Sequence, residues 1–230
     1  MMLFHTEFNR DNVIWFDVET AGEKEHYSDL FDRKLLLWEK KCIKLKQQPQ
    51  YFDHTNEQLW QEKCSLTLEY AKIICITVGM LDKTGNPQVK SFSGDDEKQI
   101  LTLVNNAFNR CKPGTILGGF NIKRYDIPIL CKRMVMHGIL PSKLLFILGQ
   151  KPWEAKVLDL SDVWQFGDRD YTSLDTLTCV LGIDSPKDAL EGKDVHAAYY
   201  AGRLTEIVAY CEKDVLCLFK VIDKFTELAV

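Results

Sequence analysis

Residues 13–18, Val-Ile-Trp-Phe-Asp-Val, form an apolar run interrupted by one acid, which predicts a central strand. A turn is expected at Ala21-Gly22, after which the pattern changes. From about 23 to 69 the chain is polar and rich in Lys, Glu and Gln, with helical periodicity around 30–45 and 57–68. Two strand-like runs follow, KIICITVGML (72–81) and QVKSF (88–92), joined by the turn sequence DKTGNP. A helix is predicted over 97–110 behind the cap SGDD, then a short strand at 115–119. The stretch 126–137 reads as a helix with Pro128 in its first turn, where proline is tolerated. A short strand at 157–160 precedes helices at about 172–181, 193–200 and 203–227. Strands in a hairpin-like run, then alternating with helices, predict an α/β fold with a mixed central sheet flanked by helices. No internal repeat or low-complexity linker breaks the pattern.

Composition narrows this picture. A length of 230 residues suits one large domain with an internal insertion, or two small ones, and is ample for a buried core. A net charge of -4 excludes a globally basic nucleic-acid coat protein. It does not exclude a nucleic-acid enzyme, because bound divalent cations supply local positive charge. The 23–69 segment runs against the overall acidity. Arg33, Lys34, Lys40, Lys41, Lys44 and Lys46 outnumber Glu39 there, marking either a solvated helical excursion or a basic clamp beside an active site. The 8 cysteines include no CxxC pair and several lie in apolar runs, so they read as reduced, buried thiols. No apolar run approaches the roughly 20 residues of a membrane span, and the start MMLFHTEFNRDN lacks a signal peptide's apolar core. The expectation is a soluble, cytoplasmic protein with no membrane partner.

Three groups of acids carry candidate chemistry. The pattern Asp-x-Glu occurs at Asp17–Glu19 and again at Asp95–Glu97. The second opens a helix, where the dipole favours acids. Asp17 instead closes a strand that should be buried, and period-2 geometry puts Glu19 on its side. Two carboxylates forced together near a core repel unless a cation sits between them. Tyr-x-x-x-Asp also occurs twice. At Tyr171–Asp175 the run Thr172-Ser173-Leu174-Asp175 reads as a capping box. Tyr210 and Asp214 lie on the helix face made by Ile207, Leu218, Val221, Ile222 and Phe225, and so point inward. Asp126, before Ile127-Pro128, reads as a helix N-cap, a job compatible with metal binding.

WFDVET, GFNIKRYDIPIL and AYCEKDV, in this order, resemble the three exonuclease motifs of the DEDD superfamily. The middle one is similar to that of the proofreading exonuclease of family-B DNA polymerases. EYAKIICITVG and the stretch from TSLDTL to EKDV resemble the stand-alone predicted 3′–5′ exonucleases related to that domain. The resemblance covers about 13–20 and 70–227 and implies a ribonuclease H-like fold, with 1–230 a single exonuclease domain carrying a helical, locally basic insertion at about 23–69. It implies that Asp17, Glu19 and Asp214 are direct metal ligands, that Asp126 is the fourth acid, and that Tyr210 orients the attacking water. That is the tyrosine subclass; the histidine subclass would place its base where Ala209 stands, and His196 reads as structural. By the same resemblance Thr20, Asn121 and Tyr125 meet the substrate strand. Lys187 matches a recurrent family position, and Trp15, Trp38, Trp60, Trp153 and Trp164 read as packing.

Phosphodiester hydrolysis develops negative charge on the phosphate and on the departing 3′-oxygen, which two hard cations roughly 4 Å apart accommodate. Oxygen ligands suit Mg²⁺ or Mn²⁺. A tyrosine titrating near 10 positions the nucleophile rather than deprotonating it. The expected activity is metal-dependent 3′–5′ hydrolysis of single-stranded DNA ends, releasing nucleoside 5′-monophosphates. The alternatives are an RNase D-like exoribonuclease and a non-catalytic nucleic-acid-binding or polymerase-accessory module. The expected partner is nucleic acid, a single-stranded DNA 3′ end or RNA, and a polymerase or another replication or repair protein is compatible with the resemblance.

Overall fold

The computed structural model describes residues 9–147, 157–168, 170–184 and 190–227, and the backbone of 2–3 and 6–7. Two short strands, β1 (Met2–Leu3) and β2 (Thr6–Glu7), pair antiparallel at the start. The main sheet has five strands in the order β5-β4-β3-β6-β7. Central β3 (Val13–Gly22) pairs antiparallel with β4 (Ala71–Leu81), which pairs antiparallel with β5 (Pro87–Ser93). On the other side, β6 (Ile116–Gly119) runs parallel to β3, and β7 (Val157–Asp159) parallel to β6. The mixed α/β sheet expected from the sequence is the sheet observed.

The alternation of β3 decides what lies on each face. Ile14, Phe16 and Val18 pack into a core with α3 (Glu97–Asn109) and α4 (Asp126–Met136). Val13 and Trp15 face the opposite way, onto the buried side of α8 (Leu204–Glu227), including Val215, Phe219 and Ile222. Asp17 and Glu19 share the parity of Trp15 and therefore point toward α8. Gly79 on β4 permits this close approach, since a Cβ there would stand 2.7 Å from Val215 Cγ1 and 2.9 Å from Phe219 Cε2.

The strand outruns the expected turn at Ala21-Gly22. A bulge between Glu19 and Thr20 resets the register, and pairing then continues to Gly22 opposite Ala71. The 23–69 segment holds α1 (Asp32–Leu45) and α2 (Asn56–Lys63). The second is shorter than its periodicity implies, opening on a capping box between Thr55 and Gln58 and ending at Lys63. These helices enclose their own small core of Leu30, Trp38, Cys42, Leu59, Trp60, Cys64 and Tyr70. His196, on α7 (Val195–Tyr200), ties the segment to β3: its Nδ1 accepts from the Gly22 N–H at 3.0 Å and its Nε2 lies 3.1 Å from the Glu25 carbonyl. Two short helices, α5 (Leu160–Gln165) and α6 (Leu174–Val180), complete the helical layer.

Trp15, Trp38 and Trp60 are fully buried, and Trp164 stacks on Phe225 with ring centroids 6.3 Å apart. Trp153 and Lys187 lie outside the described residues. All eight cysteines are free. Among the described residues no helix is long and apolar enough to cross a membrane.

Candidate active site

One cavity of about 360 Å³ is lined by Asp17 and Glu19 from β3, Asn121, Tyr125 and Asp126 around the start of α4, and Tyr210 and Asp214 from α8. Three distant stretches of chain thus deliver four acids to one place. Strand parity brings in the first pair, and the four-residue spacing on α8 brings in Tyr210 with Asp214. The Tyr210 hydroxyl is hydrogen-bonded to the Asp214 carboxylate.

No lysine or arginine is among the described residues lining the cavity, and the electrostatics reflect this. Burial raises Asp17 to about 6, opposed chiefly by a hydrogen bond from Cys211. Burial, then the charges of Asp17 and Asp214, holds Glu19 well above the usual carboxylate range. Asp126 is raised by burial and then by Asp17. Tyr210 is pushed far up by burial and the neighbouring acids, so its phenol stays protonated. Carboxylates this close, without a cationic side chain, have the chemistry of a hard-cation site. Ligand atoms of Asp17, Glu19 and Cys211 all lie within 4.8 Å of one another. The oxygen donors of Asp17 and Glu19 suit Mg²⁺ or Mn²⁺.

Two local readings of the sequence are corrected here. Asp126 does not cap α4. Tyr125 holds the N-cap position without a side-chain hydrogen bond, and Asp126 is the first helical residue, buried against the cavity. Asp175 is not part of a capping box either. The Ser173 hydroxyl caps α6 by accepting from the Thr176 N–H at 3.1 Å, which makes Asp175 the second helical residue instead of the third, on the cavity wall.

Thr20 stands behind that wall. It is buried, and its hydroxyl lies 3.0 Å from the Ser65 carbonyl and 2.8 Å from the Tyr125 hydroxyl. Tyr125 also reaches the Ser65 carbonyl, at 2.5 Å. This pair of hydroxyls fixes the backbone that carries Leu66 to the rim, where Leu66 is 60% exposed. Tyr171, 66% exposed, also lines the cavity. Asn121 adopts a left-handed backbone, φ 60°, which asparagine tolerates. Asp159 clamps it by accepting from the Asn121 N–H at 2.7 Å and the Lys123 N–H at 3.0 Å. Sequence reasoning missed Leu66, Asp159 and Cys211, and set Tyr171 and Asp175 aside. The second Tyr-x-x-x-Asp match was the one available signal for those two.

Residues 65–229 match the family described as predicted 3′–5′ exonucleases related to the exonuclease domain of PolB. The fold is similar to the family B DNA polymerase from the hyperthermophilic archaeon Pyrobaculum calidifontis, with a TM-score of 0.60 and 15% identity. That alignment covers 93% of this chain and 24% of the polymerase, so the chain spans about a quarter of that protein's length. At this identity the likeness is one of fold, of the ribonuclease H-like type. No curated protein sequence matches the chain significantly.

Proposed function

The chain belongs to the family of predicted 3′–5′ exonucleases related to the exonuclease domain of PolB, and from that membership we propose a metal-dependent enzyme that removes nucleotides from the 3′ end of single-stranded DNA. The products are nucleoside 5′-monophosphates. The observation that carries this reading is the convergence of Asp17, Glu19, Asp126 and Asp214 with Tyr210 on a single cavity. The chain acts as one exonuclease domain of the tyrosine subclass, with the helical 23–69 segment as an insertion, in a reducing cytoplasm.

Asp17, Glu19, Asp126 and Asp214 would hold two Mg²⁺ or Mn²⁺ ions. When bound, these supply an activated water and neutralise charge on the phosphate and the leaving 3′-oxygen. Tyr210, kept protonated, orients the attacking water by hydrogen bonding and does not take its proton. The Asn121 amide and the backbone around Thr20 receive the terminal nucleotide, while Tyr125 braces Ser65. Leu66 and the exposed ring of Tyr171 meet the unstacked bases at the rim, an aromatic contact that suits any base.

The test offers matched single-stranded DNA and RNA with Mg²⁺ or Mn²⁺ and identifies the products by chromatography. Nucleoside 5′-monophosphates released from DNA at the higher kcat/KM are expected. Preference for RNA would transfer the reading to an exoribonuclease, since the 2′-hydroxyl distinguishes the two strands. Binding without release from either would leave a non-catalytic accessory module.

A further inference from the structure

The Cys211 thiol lies 3.3 Å from Asp17 Oδ2 and 3.6 Å from the Asp17 carbonyl. One turn of α8 therefore serves the cavity twice. Tyr210 and Asp214 line it directly, and Cys211 reaches the back of Asp17 from behind the wall. A thiol has one proton to give, and the carboxylate is the stronger acceptor of the two. Beside Cys211 a line of polar side chains runs along β4, over to β5 and back to α8. Cys75 Sγ lies 3.9 Å from Thr77 Oγ1, Thr77 Oγ1 lies 2.9 Å from Ser91 Oγ, and Ser91 donates to Glu212 at 2.6 Å.

We propose that Cys211 is a positioning residue for Asp17: its S–H fixes Oδ2 and so presents the carboxylate to the cation in one orientation. The proposal rests on the nuclease reading only in taking Asp17 as a holder of the cation. The residue type follows from the surroundings. Cys211 is fully buried among Ala21, Ile74, Ala198 and Ile207, where a thiol behaves as a small apolar group with a weak donor. A lysine or arginine there would orient Asp17 equally well, but its charge would compete with the cation. A neutral donor orders the carboxylate and leaves its charge available.

Mn²⁺ binding to the full chain without substrate, followed by electron paramagnetic resonance, tests this with wild type, Cys211→Ala and Cys211→Ser. Removing an outer partner of a metal-holding group costs about 10-fold or more in metal affinity. That loss is expected for Cys211→Ala, with Cys211→Ser, which keeps a donor, staying within about 3-fold of wild type on the same scale. If the alanine variant does not fold, Cys211→Val, which is slightly larger than cysteine and likewise has no donor, takes its place. Unchanged Mn²⁺ affinity in the donor-less variant, or serine as weak as alanine, overturns the proposal alone. Wild type that binds no Mn²⁺ overturns the nuclease reading and this proposal with it.

Discussion

The hydroxyls of Thr20 and Tyr125 lie 2.8 Å apart and converge on one acceptor, the Ser65 carbonyl. This triangle joins β3, the entrance to α4 and the end of the 23–69 segment. Tyr125→Phe removes the closest of its contacts and leaves a part-buried acceptor with one donor fewer. A loss of about 1–2 kcal/mol is expected, read as a fall of roughly 3–6 °C in thermal midpoint for a chain of this size. Because Leu66 loses its support, KM should rise more than kcat falls. An unchanged KM alongside the lowered midpoint would show that the triangle is purely structural.

Stability should depend on pH in a way that a divalent cation cancels. Asp17, Glu19 and Asp126 all titrate above their unfolded values in the cation-free protein. Their contribution is therefore fully present below about pH 4, and is lost as pH rises through the folded value of Asp17, about 6. Mg²⁺ removes the penalty on the charged forms. The rise in thermal midpoint on replacing EDTA by Mg²⁺ should be several degrees larger at pH 8 than at pH 5.5. An equal or smaller rise at pH 8 would contradict this electrostatic account.

The basic segment offers fewer free charges than its sequence implies. Lys34 is paired with Glu23, and Lys46 donates to Asn56. Arg33, Lys40 and Lys44 lie exposed on one face of α1, alongside Leu36, Leu37 and Ile43. If this face holds the strand, replacing Lys40 and Lys44 by alanine should raise KM and flatten the logarithmic salt dependence by about 1.4, or 0.7 per lost phosphate contact on a single strand. Identical salt slopes for wild type and variant would make the face a solvated surface.

On the opposite side of the sheet, Glu97 is a structural acid. It is buried, accepts from the Ile73 N–H at 2.8 Å, and is bound by Arg133 through two guanidinium nitrogens. Burial alone would raise its carboxyl, but the Arg133 contacts hold it below the usual range. Glu97→Ala leaves Arg133 buried without this partner and should cost about 3–5 kcal/mol in stability. Chemical denaturation measures it, and a loss under 1 kcal/mol would show that Arg133 finds water instead.

The layers of this fold were legible because two periods are strong local signals. The alternation in Val-Ile-Trp-Phe-Asp-Val assigned Asp17 and Glu19 to one face, and the apolar stripe of the last helix turned Tyr210 and Asp214 inward. What was not legible depends on contacts far apart in the chain. Nothing near Ser65 announces that hydroxyls 45 and 60 residues away will hold its carbonyl. Cys211 looked like any core thiol until α8 was laid on β3. Asp175 and Asp126 were misread for a different reason. In each case the cap falls one residue from the position the sequence suggests, Ser173 in place of Thr172 and Tyr125 in place of Asp126, and a shift of that size lies within the uncertainty of helix ends read from sequence.

The central claim is that the acids around this cavity drive 3′–5′ hydrolysis, and a 5′-labelled single-stranded oligonucleotide on a sequencing gel tests it most directly. Wild type and Asp214→Ala are compared with Mg²⁺, Mn²⁺ or EDTA. A ladder shortening from the 3′ end, abolished by EDTA and reduced more than about 100-fold in the variant, is the predicted result. Equal shortening by wild type and Asp214→Ala, or an intact band in every lane, would contradict the account.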